Sequence, residues 1–175
     1  MRNFIAIILP VLLLAACNLP RSTPTVVTAT ANSQNCYFNW ASQPLPELSA
    51  KVQVAINASG LKGVSANAEA YGENCIDPQT NKPVSFGALE TDFHLTVKIA
   101  NLTDKENLGN LLEKVLVVLD TFPAGKIPGP EPGSITVSFQ AGSDELNLMF
   151  TVPAGKSARL QGLHGAALIE NLQKK

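Results

Sequence analysis

Residues 89–99, LETDFHLTVKI, alternate between apolar and polar side chains, and this alternation constrains the fold more than any other feature of the chain. One face of the predicted strand carries Thr91 together with apolar side chains, which are Leu89, Phe93, Leu95, Val97 and Ile99. The other face carries only polar side chains, which are Glu90, Asp92, His94, Thr96 and Lys98. A repeat of two residues indicates a strand with one buried face and one solvated face. The chain therefore has to form a sheet that is covered on one side.

A helical repeat follows this strand. Thr103 and Glu106 resemble a capping box, with Thr103 as the N-cap. Apolar residues then recur at helical spacing, namely Leu108, Leu111, Leu112, Val115, Leu116, Val118 and Leu119. The pattern predicts a helix that ends near Asp120, ahead of Pro123 and Gly125.

The rest of the domain reads as short strands and one more helix. Alternation predicts strands over 51–57, 64–71, 134–140 and 145–152, and residues 127–134, IPGPEPGS, read as a connector. Ser157 is the expected N-cap of a last helix that runs to about residue 172, with Leu160, Leu163, Ala167, Leu168 and Leu172 as its apolar stripe. The predicted order is βββαββα: an α+β domain with an antiparallel sheet of about five strands and two helices on one face. Residues 92–99, DFHLTVKI, weakly resemble residues 145–152, ELNLMFTV, about 52 residues further on, and each stretch is followed by a predicted helix. This similarity suggests the hypothesis that the domain arose by duplication of one half.

The first twenty residues have the layout of an export signal. Arg2 is followed by an unbroken apolar run over residues 4–14, which is shorter than the roughly 20 residues that cross a bilayer as a helix. A basic start, a short apolar run and small residues before a cut site are typical of secretory signal peptides. The run closes with Leu14, Ala15, Ala16 and Cys17.

These four residues resemble the lipobox of bacterial lipoproteins, and the resemblance covers only the first 17 residues. It implies that residues 1–16 are removed and that Cys17 receives a diacylglyceryl group with acyl chains such as palmitate. Two or more acyl chains anchor a protein stably, so the expected location is the bacterial cell envelope, with the domain on the exported side of the membrane. A conventional signal peptide that happens to contain a cysteine, and an uncleaved anchor, are the alternatives.

Residues 17–33 are expected to form a tether between this anchor and the domain. After Cys17 the segment reads NLPRSTPTVVTATANS, without a repeating apolar face. Such a segment cannot bury enough apolar surface to offset the entropy of ordering it. Residues 34–175 remain as a single domain, long enough to bury a core of its own.

Net charge bears on the partners of the protein, and cysteine content bears on its covalent cross-links. The formal net charge of −1 makes no case for nucleic acid as a partner. Cys36 and Cys75 remain after lipidation of Cys17, and in an exported protein they are expected to form a disulfide. The chain-entropy model gives the closed loop about 4 kcal/mol of stabilisation. A metal site or two free thiols are the alternatives.

The polar face of the 89–99 strand is the candidate ligand or metal face. Glu90, Asp92 and His94 point the same way, but same-face neighbours lie about 6.5–7 Å apart along a strand. Three of them cannot hold one ion without help, which Glu69 on a neighbouring strand supplies if the pairing register allows it. The alternative is a solvated face of alternating charge.

No other motif supports catalysis. His164 is expected to flank the apolar stripe of the last helix as a packing residue. Gly155, Lys156 and Ser157 fail as a phosphate loop, because Phe150 stands where the motif needs glycine. The two PAGK stretches, at 123–126 and 153–156, are expected to be turns.

The sequence as a whole predicts a lipid-anchored envelope protein that binds a small ligand or an envelope protein without catalysis. No catalytic residue, cofactor or metal is assigned. The alternative is a lipid-anchored hydrolase or metal-dependent enzyme that uses the polar sheet face.

Overall fold

The computed structural model describes residues 35–174, so the predicted signal peptide, Cys17 and the whole of the predicted tether lie outside the described residues. The elements in chain order are β1 (Tyr37–Pro44), α1 (Pro46–Ala58), β2 (Val64–Asp77), β3 (Lys82–Lys98), α2 (Lys105–Leu119), a 3-10 turn (Ala124–Lys126), β4 (Glu131–Ala141), β5 (Asp144–Thr151), α3 (Val152–Leu160) and α4 (Gly165–Gln173). The predicted α+β class is confirmed, and within residues 35–174 no helix is long and apolar enough to cross a membrane.

The five strands form one sheet in the order β1-β2-β3-β4-β5. The prediction of an entirely antiparallel sheet is wrong, because β3 and β4 run parallel while the other neighbours are antiparallel. The reason lies in the connection: α2 carries the chain back to the end of the sheet where β3 began, and such a crossover joins parallel strands.

The predicted strand over residues 51–57 is also wrong, because these residues lie within α1. Val52 and Ile56 are fully buried, and a separation of four residues fits a helix as well as a strand. Val54 decides between the two: a strand would place it beside them, whereas in the helix it is 67% exposed. The missing first strand is supplied instead by β1, residues 37–44.

The last helix is two helices rather than one. α3 begins at Val152 with Thr151 as its N-cap, ahead of the predicted Ser157, so the second PAGK stretch is helical and not a turn. Gly162 and Gly165 then adopt φ angles of +72° and +52°, which side chains other than glycine rarely adopt. The change of direction at these glycines leaves Leu160 exposed, while Leu168 and Leu172 reach the core.

One core fills the space between the helices and one face of the sheet. The predicted buried face of β3 is confirmed from Thr91 onwards, with Phe93, Leu95 and Val97 at most 3% exposed. All four α-helices contribute buried side chains to the same cluster. Leu89, predicted to share that face, is partly exposed, because the pairing of β2 with β3 skips it.

α2 and α4 pack closely because each presents a glycine at the contact. A Cβ atom on Gly109 would lie 1.8 Å from the carbonyl oxygen of Gly165. The backbone N–H of Ala166 also donates to Oε2 of Glu106 at 3.0 Å. The N-cap of α2 is Asp104, which accepts from the N–H of Asn107 at 3.1 Å. The predicted Thr103 is not the cap, since its hydroxyl donates to Asn101.

The predicted disulfide is confirmed. Cys36 and Cys75 are bonded, with their Cα atoms 5.4 Å apart. Cys36 lies directly before β1, and Cys75 lies near the end of β2, the strand with which β1 pairs antiparallel. The bond therefore fixes the start of β1 to the end of β2. We call this outer part of the sheet the arm; it consists of β1, residues 72–77 of β2 and residues 82–89 of β3.

Candidate functional site

The structure brings Glu69, Asp92 and His94 together on the outer face of the sheet. The register of β2 and β3 places Glu69 directly opposite Asp92. His94 lies two pairs further along, opposite Asn67, and its Nε2 atom is 3.1 Å from Oε1 of Glu69. The register thus allows the contact between Glu69 and the β3 residues on which the predicted site depends.

The Glu69–His94 pair lines an open groove of about 450 Å³ between the sheet and the start of α1. The lining is completed by Pro44, Pro46, Ser49, Asn67 and Ala68. Both side chains of the pair are partly accessible to solvent. Nδ1 of His94 bonds to no other residue within 35–174 and remains available to a ligand.

Asp92 has a structural task. Its Oδ1 accepts from both the backbone N–H and the hydroxyl of Ser134, each at 2.7 Å. Ser134 lies in β4, next to Gly133, where a Cβ atom would collide with the carbonyl of Thr91. This is also where the register of the parallel pair shifts. Asp92 therefore joins the two parallel strands at their irregular start.

Glu90 does not line the groove and lies in an acidic neighbourhood. Partial burial, followed by the charges of Asp92 and Glu131, raises the pKa of Glu90 above its ordinary value. Glu131 is the residue of β4 that pairs with Glu90, so the parallel arrangement places the two carboxylates side by side. Sequence reasoning missed Glu131 because it lies in a stretch that reads as a connector.

The metal interpretation of this face gains no support. Among residues 35–174, no three His, Cys, Asp or Glu side chains converge closely enough to hold an ion. What the geometry provides is a paired imidazole and carboxylate that can accept or donate hydrogen bonds.

Aromatic side chains extend the outer face towards the arm. Tyr71 lies two residues beyond Glu69 on β2 and so shares its face. Trp40 of β1 stacks on Tyr71 with a ring separation of 5.4 Å and an angle of 9° between the planes. Sequence reasoning missed this pair because residues 37–44 do not show a strand-like alternation.

A second cavity, of about 290 Å³, lies on the helix side of the sheet. Its floor is apolar and includes Phe93, Leu116 and Ile135, while Asp120, Glu131 and Lys156 stand at its rim. Five separate segments build it, which is why no single stretch of sequence indicates it. Charges of both signs meet at the rim, so the lining favours no one class of ligand.

The remaining sequence candidate lies elsewhere. His164 is the exposed N-cap residue of α4, and its Nδ1 is 2.8 Å from the carbonyl oxygen of Gly162. It belongs neither to the groove nor to the cavity.

Comparison with protein-family models, with curated proteins and with solved structures found no match to this chain.

Proposed function

We propose that this chain is a lipid-anchored protein of the bacterial cell envelope whose exported domain is a non-catalytic binding module. The observation that carries the binding role is the groove at Glu69 and His94, where a paired imidazole and carboxylate are accessible and one ring nitrogen bonds to no other residue within 35–174. Residues 14–17 support the anchor.

The Cys36–Cys75 disulfide supports export. Disulfides persist in oxidising compartments and are rare in the reducing cytosol. A domain that depends on one is therefore suited to the outer side of a cytoplasmic membrane. The expected tether of residues 17–33 has a mean reach of about 20–25 Å, so the groove would stand close to the membrane surface.

A binding role agrees better with the polar face than a catalytic role does. Asp92 already accepts two hydrogen bonds from Ser134 and is held in place between strands. Glu69 and His94 remain as accessible partners in the groove, and they can orient a polar ligand.

The anchor is tested by intact mass spectrometry of the protein extracted natively from its own membranes. The expected mass corresponds to residues 17–175 plus acyl chains, and reduction should add about 2 Da, two hydrogens for the disulfide. An unlipidated mass would refute the anchor, and a mass unchanged by reductant would refute the disulfide.

The groove is tested by the same measurement under non-denaturing conditions. A ligand retained by the native protein should be lost from a Glu69→Gln, His94→Gln double variant and kept by a Thr96→Ala control on the same sheet face. Asp92 is left intact because its removal would disturb β4. Equal retention by the double variant, or no retained mass in the native protein, would refute the groove as the binding site.

A further inference from the structure

β1 is an open edge of the sheet. It pairs with β2 on one side, and within residues 35–174 no strand pairs with its other side. Such an edge presents a row of unpaired backbone N–H and C=O groups that can template a further strand. The eight residues of β1, YFNWASQP, carry no charged side chain, and only Pro44 at the end interrupts the row of N–H groups.

The other open edges of the sheet are protected in the usual ways. β5 begins with Asp144 and Glu145 and leads directly into α3. The free part of β3 begins with Lys82 and Pro83, and at its far end Gly129 packs against the backbone of Leu89. Charges, proline and covering loops are the devices that prevent pairing between edges. β1 has none of them before its last residue.

Large apolar side chains border the β1 edge on both faces. Tyr37, Phe38 and Trp40 are 46%, 63% and 58% exposed. Alternation along the strand directs Phe38 and Trp40 to the outer face and Tyr37 to the opposite face. Among the described residues, the arm holds five of the nine large apolar side chains that are exposed. The disulfide next to Tyr37 holds this surface in place.

We propose that β1 pairs antiparallel with β1 of a second copy of this chain, about a two-fold axis, to give one continuous sheet across the dimer. In such a contact each strand meets an identical strand, so a charged strand would repel itself and an uncharged one would not. Pairing also satisfies the open backbone groups, whereas insertion of this edge into a bilayer would leave them unpaired. The second copy is therefore the partner that fits the strand best.

The expected dimer is a weak one. A large aromatic side chain buries about 200 Å², so the exposed parts of Tyr37, Phe38 and Trp40 offer about 330 Å² on each copy. With the rest of the strand this reaches the low end of specific interfaces, and the dissociation constant should lie in the micromolar range. The pairing does not depend on the proposed lipid anchor.

The test uses residues 17–175 with Cys17→Ser, which cannot be lipidated. Sedimentation velocity over about 1–100 μM should show a monomer that converts into a dimer. Trp40 is the sole tryptophan of the chain, so its fluorescence emission should move to shorter wavelength over the same concentration range. A monomer throughout would overturn the proposal.

Two variants place the contact on β1. Ser42→Lys puts a charge on the edge strand and should weaken the dimer at least tenfold. Met149→Lys is the matched control: Met149 is 68% exposed on β5, at the opposite edge, and its variant should dimerise as the parent does. Circular dichroism of both variants checks that they fold. Equal dimerisation of Ser42→Lys would overturn the assignment to β1. A monomer whose Trp40 emission shifts on phosphatidylcholine vesicles would overturn it in favour of a membrane contact. These results are independent of the mass measurement that tests the lipid anchor, so the two proposals can fail separately.

Discussion

Gly109→Ala tests the packing of α2 against α4. The added methyl carbon would lie 1.8 Å from the carbonyl oxygen, 2.3 Å from the carbonyl carbon and 2.7 Å from the Cα atom of Gly165. Ordinary contacts between such atoms need about 3.5 Å. All three atoms are backbone, so no rotation of a side chain relieves the overlap. The two helices have to separate by about 1.5 Å or more.

Two opposing effects set the size of the change. Alanine in a helix interior is favoured over glycine by about 1 kcal/mol. Overpacking of a tight contact costs about 1–3 kcal/mol, and the upper end applies here because α4 has to shift as a unit. Leu168 and Ile169 are fully buried on α4, so that shift disturbs the core as well. We expect Gly109→Ala to lower the free energy of unfolding by about 2 kcal/mol, or the Tm by about 5–10 °C.

Urea denaturation followed by far-UV circular dichroism measures the effect, with two other glycines for comparison. Gly125→Ala is the control, because a Cβ atom there meets nothing within 4 Å. Gly155→Ala should fall between, because its nearest neighbour, at 2.9 Å, is the ring of Phe150, which is a side chain and not backbone. If the Gly109→Ala variant is as stable as the parent protein, the close approach of α2 and α4 is refuted.

Three further changes test the sheet. Cys36→Ser with Cys75→Ser should lower the urea-derived stability by about 4 kcal/mol, the chain-entropy value for a 39-residue separation; unchanged stability would show that the bond contributes nothing to the fold. Asp92→Ala leaves the N–H of Ser134 without its acceptor and should cost about 1–3 kcal/mol in the same assay, whereas a neutral result would remove the structural role of Asp92. Burial and the charge of Asp92 raise the pKa of Glu90, so the folded state binds a proton more tightly than the unfolded chain, and stability is lost as the pH rises from the unfolded towards the folded pKa. Glu90→Gln should reduce that loss of stability and raise the urea midpoint at pH 7. If stability depends on pH in the same way in Glu90→Gln as in the parent protein, the raised pKa of Glu90 is contradicted.

Local patterns predicted the parts of the fold that depend on neighbours in sequence. The strand at β3 and the helix at α2 follow from a run of alternating residues and a run of helical spacing, and both are present. The disulfide was predictable because the chain has three cysteines and Cys17 is expected to carry the lipid, which leaves Cys36 and Cys75 as a pair.

Sequence patterns gave the wrong element where the same spacing of apolar residues fits both a strand and a helix. Val52 and Ile56 fit a strand and a helix equally well, and only the exposure of Val54 separates the two. The parallel pairing of β3 and β4 was not predictable, because it depends on where α2 delivers the chain in space. A uniform antiparallel sheet was the simpler assumption for short strands.

The candidate site was also predictable only where it depends on neighbours in sequence. The shared face of Asp92 and His94 follows from alternation along one strand, but the contact of His94 with Glu69 depends on the register between two strands. The role of Asp92 depends on β4, whose first residues look like a connector. For that reason the sequence indicated that Asp92 and His94 share a face but could not distinguish the accessible Glu69–His94 pair from the structural carboxylate of Asp92.

The disulfide also determines how this domain responds to mechanical force. A pull on the chain ahead of Asn35 would ordinarily peel β1 away from β2 one hydrogen bond at a time, which is the weakest way to load a sheet. Because Cys36 is bonded to Cys75, the force passes from the first residues of the domain directly into β2, beside the first paired residues of β1. β1 is thereby relieved of tension and keeps its shape under load, while the much longer contact between β2 and β3 bears the strain.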